Sequence, residues 1–154
     1  MGRSNPSQHV KDLVNARDQY RCVRCGKPFH WSGFSRHHRR LRSHKWPGLH
    51  EASNLILACG SGDTGCHGWI HAHPREAMSL GYIVSGFNDH PELVPILTAQ
   101  HGWVLLDDKG GWTRTAEAVS LLFILFCRDP QFQRALYKLD PVLFRRFTNG
   151  EVWL

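Results

Sequence analysis

At 154 residues the chain is one compact domain, or a small module with an extension, and is too short for two full cores. Its 42% hydrophobic and 21% charged residues exclude wholesale disorder, and it lacks the run of about 18 apolar residues that crosses a bilayer. The net charge of +6 favours polyanionic partners and is concentrated. Nine Lys or Arg between Arg17 and Lys45 face one acid, Asp18, so this stretch carries +8 and the rest about −2.

The start of the chain, MGRSNPSQHVKDLV, has no apolar leader, and a cytoplasmic protein is expected. Residues 1–9 are polar and are predicted to be disordered. Val10, Leu13, Val14 and Arg17 have helical spacing up to Asp18. Cys22-Val23-Arg24-Cys25-Gly26 then reads as a metal knuckle, two thiolates two residues apart followed by a glycine that closes the turn. Phe29 to Ser35 is predicted as a loop, and Arg36 to Ser43 as an extended segment leading into the loop signal Trp46-Pro47-Gly48. The apolar run Asn54 to Cys59 predicts a buried strand, and Gly60 to Gly65 a turn. A helix from Cys66 to His73, capped by Thr64, places His67 and His71 on one face. Pro74 breaks it, and a further short helix ends before Gly81. Tyr82 to Ser85 is predicted as a strand, and Trp103–Leu106 and Trp112–Arg114 as a hairpin around Asp107–Gly111. Helices over 116–127 and about 130–147 complete the chain. Trp103, Trp112 and the apolar residues 121–126 are core candidates.

The chemistry gathers near the N-terminus. Cys22, Cys25, Cys59 and Cys66 share a region with eight of the eleven histidines, a pattern suited to a metal rather than to disulfides. Four thiolates on Zn²⁺ make a closed, structural site that contributes on the order of 10 kcal/mol or more to folding. Such a staple draws together a second set: His37, His38, Asn54, His67 and His71. Adjacent histidines on an extended chain point in opposite directions, which divides His37 and His38 between metal ligation and base catalysis. The basic run Arg39-Arg40-Leu41-Arg42 follows, suited to holding phosphates beside a scissile bond. His30, His44, His50, His73, His90 and His101 read as solvated and outside the site.

From about Val10 to Pro74 the chain resembles the HNH endonucleases of the zinc-stapled type found in phages and their hosts. The matching blocks are Arg17 to Gly26, His37-His38, Asn54 to Cys59 and Cys66-His67. The resemblance implies an α+β fold: a ββα-metal (His-Me finger) nuclease module over 10–80 with a structural zinc knuckle, and an accessory C-terminal region over 81–154. It implies a DNA phosphodiesterase with His38 as general base and one catalytic divalent ion, Mg²⁺, Mn²⁺, Ni²⁺ or Zn²⁺. His37 takes the neighbouring ligand position. Asn54 matches the middle residue of the family name, which either binds the metal or orients the base-bearing loop; His67 and His71 both remain candidates for the last ligand. Arg39 or Arg40 would stabilise charge, and Arg36, Arg39, Arg40, Arg42, Arg24 and Lys27 would contact nucleic acid.

The partners implied are DNA and, in phage systems, a terminase or packaging protein, with the chain a monomer or weak dimer and no membrane involved. Two other readings fit the same residues. One is a zinc-stapled DNA-binding protein without cleavage activity; the other is a packaging adaptor whose cleavage depends on a partner.

Overall fold

The computed structural model describes residues 5–29, 33–115 and 130–139, and the chain falls into two compact units, Met1–Arg114 and Thr115–Leu154. The first unit is mixed α and β with two small antiparallel sheets.

Helix α1 (Gln8–Arg17) starts earlier than the apolar spacing predicts, because the Ser7 hydroxyl caps it by accepting from the Val10 N–H at 3.2 Å. Its inner face presents Val14, fully buried against Ala52 and Leu55. Its last residue makes a clamp. The Arg17 guanidinium pairs with Asp18 and donates to the carbonyls of Ala52 and Leu55, while Asp18 Oδ2 accepts from the Leu57 N–H at 2.8 Å. The buried charges are therefore paired and hydrogen-bonded, as a low-dielectric interior requires.

Strand β1 (Phe34–His38) pairs antiparallel with β2 (Leu55–Cys59), with His37 opposite Ile56 and His38 opposite Leu55. Beta structure thus begins at Phe34, within the predicted loop, and ends at His38. The Arg39 N–H still bonds the Asn54 carbonyl in the same register, but the next N–H, of Arg40, bonds the Asn54 side chain instead of a backbone carbonyl, and the ladder ends there. All five residues of β2 are buried: one edge is covered by β1 and the other receives Asp18 and the Val23 N–H. An unbroken apolar run suits such a strand.

Helix α2 (Gly65–Ala72) packs on β2, and α3 (Pro74–Ser79) follows with proline in its first turn. Tyr82–Ser85, predicted as a strand, forms only one bridge, Val84 to Arg40. The second sheet is β3 (Ile96–Thr98), β4 (Gly102–Leu106) and β5 (Trp112–Arg114) in that order. The 103–114 hairpin is present as predicted, whereas β3 is an addition, too short at three residues to show an alternating pattern. Alternation along β4 buries Val104 and Leu106 and leaves Trp103, a core candidate by sequence, 42% exposed.

One core joins Val23, Ile56, Ala58 and Ile70 to Ile83, Ile96, Val104 and Leu106, so residues 81–114 share the interior of residues 10–80. The second unit's described element is helix α4 (Pro130–Leu139), which starts at the Asp129-Pro130 signal. The helix predicted over 116–127 and the end of the last one lie outside the described residues. Among the described residues no helix is long and apolar enough to cross a membrane.

Candidate metal centres and groove

The four cysteines come from the loop after α1, the end of β2 and the start of α2, and their sulfurs lie within 4.8 Å of one another. Cys25 and Cys59 Sγ are 3.8 Å apart, too far for a disulfide and equal to the roughly 3.8 Å edge of a tetrahedron with Zn–S bonds of about 2.3 Å. Six residues separate Cys59 from Cys66, yet the loop closes tightly because both its ends are glycines at positive φ, Gly60 (+89°) and Gly65 (+60°). A Cβ on Gly60 would run into the Thr64 carbonyl, and one on Gly65 into the Cys59 carbonyl.

The Cys66 N–H points at Cys59 Sγ at 3.4 Å, and the Arg24 guanidinium donates to Cys66 Sγ at 3.6 Å. Burial pushes the Cys22 and Cys66 thiols above the ordinary thiol pKa. Stable thiolates there call for a cation, and the cysteine cluster suits zinc.

His37, His67 and His71 form a second cluster with ligand nitrogens within 4.8 Å. His37 is 2% exposed and faces α2, where His67 and His71 sit one turn apart with their Nε2 atoms 3.1 Å from each other. Two nitrogens on one tetrahedral ion at about 2.05 Å stand roughly 3.3 Å apart. His37 Nε2 lies 3.0 Å from the Tyr82 carbonyl, which can only accept, so Nε2 carries the proton and Nδ1 keeps its lone pair. Burial and the facing His67 and His71 lower the His37 pKa to about 3, leaving it neutral at physiological pH.

His38, next in β1, does not join this cluster. Its Nε2 lies 3.1 Å from His50 Nδ1, and burial with Arg42 and His50 nearby lowers its pKa to about 4. Both faces of the strand end on one groove of about 490 Å³, whose walls include His37, His38, His67, His71, Arg36 and Arg42 and, among the described residues, no acidic one.

Two of the expected site residues, Asn54 and Arg39, are wholly buried. Asn54 is fully buried and is not placed as a ligand: its amide accepts from the Arg40 N–H at 2.7 Å and donates to the Leu49 and Arg40 carbonyls. Arg39, expected at a phosphate, is 0% exposed and donates to the carbonyls of Gly81, Ser53, Pro91 and Val94. Burial lowers its pKa to about 9, which keeps it charged at neutral pH. Arg40 pairs with Asp89 and lies over the Trp46 ring; Arg24 lies over Trp69, 3.7 Å from its centroid.

Of the expected nucleic-acid contacts, Arg36 and Arg42 line the groove, Arg36 also bonding Asn15, and Lys27 is exposed elsewhere on the surface. Sequence reasoning missed His50, a loop histidine with no local signal. For Arg39 a signal exists: it shares strand parity with inward-facing His37. Compared with models of known protein families, with curated proteins and with solved structures, the chain matches none.

Proposed function

We propose that the chain is a ββα-metal nuclease of the HNH type that hydrolyses DNA phosphodiester bonds, with one divalent cation at His37, His67 and His71 and His38 as general base. The observation that carries this reading is the meeting of four imidazoles and two guanidinium groups on one groove, with no carboxylate among the described residues that line it. Three neutral imidazoles leave the charge of a bound divalent ion uncompensated, and Arg36 and Arg42 add to it, so the groove selects an anion. The basic stretch from Arg17 to Lys45 favours a polymeric one, held through its backbone with low sequence specificity.

When bound, the cation supplies Lewis-acid stabilisation of the phosphoryl and departing 3′ oxygens. His38 supplies the base: it takes a proton from water, the oxygen bonds to phosphorus, the P–O3′ bond breaks, and the 3′ oxygen leaves with a proton from solvent. Burial keeps His38 unprotonated at neutral pH. His37 is held as a ligand by its bond to the Tyr82 carbonyl. An imidazole donor set prefers Mn²⁺, Ni²⁺ or Zn²⁺ to Mg²⁺.

The test is conversion of supercoiled plasmid on adding Mn²⁺ or Ni²⁺ to wild type and to His38→Ala. Cleavage by wild type, abolished in a folded His38→Ala, is the expected result. A plasmid that is shifted on a gel by wild type and never cut, with any of these ions, would establish a binding module instead.

A further inference from the structure

We propose that His50 is the positioning residue of the catalytic base, accepting a hydrogen bond from His38 Nε2–H so that His38 Nδ1 is the atom that receives the proton; this rests on the nuclease reading. The two rings meet edge to face, 5.2 Å between centroids and 68° between planes, with 3.1 Å between His38 Nε2 and His50 Nδ1. One proton occupies that hydrogen bond. If His50 Nδ1 carried it, His38 would hold its other proton on Nδ1 and neither ring nitrogen would be open to a substrate water. Base chemistry at His38 therefore requires the opposite tautomer, with Nε2–H pointing at an unprotonated His50 Nδ1.

A second observation shows that the pairing is built rather than incidental. The Asn54 amide donates to the Leu49 carbonyl, one residue before His50, at 3.0 Å. The same amide holds both backbone groups of Arg40, two residues after His38, with bonds of 2.7 and 3.3 Å. A single buried side chain thus fixes the two segments that carry the rings.

While His38 takes the proton from water at Nδ1, its Nε2–H bond to His50 keeps the ring in one orientation.

The test uses the full chain with zinc at the cysteines, in wild type, His50→Leu and His50→Asn. Single-turnover plasmid cleavage with Mn²⁺ reads kcat and KM, and nitrogen-15 long-range NMR of the imidazoles, recorded without Mn²⁺, reads the His38 tautomer. Wild type should show His38 as the Nε2–H tautomer. His50→Leu should lose that preference and about 10- to 100-fold in kcat at unchanged KM, less than removal of the base itself. His50→Asn, which returns an acceptor near the same place, should recover most of the rate.

An Nδ1–H tautomer in wild type would overturn the proposal, as would wild-type kcat in a folded His50→Leu. Zn²⁺ bridging His38 and His50, seen as a joint shift of both rings' nitrogens, would overturn it too. Should wild type cut no DNA with any divalent ion, the nuclease reading falls separately. The tautomer and its dependence on His50 then still decide whether the ring pairing exists.

Discussion

The two clusters share one short helix and differ in almost every physical respect. The cysteine cluster has three of its four members buried, four like donors and no place for a further ligand. The histidine cluster has three donors graded from buried His37 to exposed His71 and opens on a groove with cationic walls. One arrangement holds segments together; the other leaves room for chemistry. Because α2 contributes Cys66 to the first and His67 and His71 to the second, one helix of eight residues serves both.

The contrast can be broken most severely at the staple. Cys22→Ser removes one of four thiolates, and the zinc contribution of about 10 kcal/mol or more is as large as the whole stability of a typical domain. The chain should fail to fold at 25 °C, lose zinc and lose activity together. Retained far-UV circular dichroism with full activity would refute a structural zinc.

Next in size, His38→Ala should lose about 10²- to 10⁴-fold in cleavage rate with its melting temperature and zinc content intact. His67→Ala and His71→Ala should instead lose the second metal equivalent in a Ni²⁺ titration while keeping the first.

A third change separates architecture from recognition. Arg39→Lys replaces a planar fork serving four carbonyls with one ammonium group, and should cost about 3 kcal/mol in urea unfolding. DNA affinity of the folded protein should stay within about twofold.

Acid should act on the histidines with a defined sign. His37 and His38 have folded pKa values of about 3 and about 4, below the ordinary 6.5, so the unfolded chain takes up these protons first. Stability is complete above about pH 6.5 and declines as pH falls toward those values. Between pH 7.5 and 5.5 the loss should be about 2 kcal/mol in guanidinium unfolding, and smaller in His37→Gln. An unchanged midpoint would show that these rings titrate normally. The mildest change is Arg42→Ala, which should lower the salt dependence of DNA binding by about one counterion at unchanged melting temperature.

These contrasts were unequally legible in the amino-acid order. The cysteine spacing, the apolar run of β2 and the histidine pair one turn apart on α2 are local patterns, and each emerged where its period placed it. The glycines at 60 and 65 explain why a six-residue gap does not separate the second cysteine pair. The basic run at 39–42 misled because its charge suggested solvent and phosphates. Arg39's acceptors lie 14, 42, 52 and 55 positions away, and no local pattern encodes them. The same holds for His50, whose significance arises only once Asn54 has brought two loops together.

The bond from His37 to the Tyr82 carbonyl carries a practical lesson about minimal fragments. The cysteine and histidine motifs end near Pro74, and a designer trimming the gene to them would cut soon after it. That cut would take away the atom that sets the ring of His37, along with three of the four carbonyls that cradle Arg39, at Gly81, Pro91 and Val94. The shortest active piece should therefore extend through the second sheet, to about residue 114.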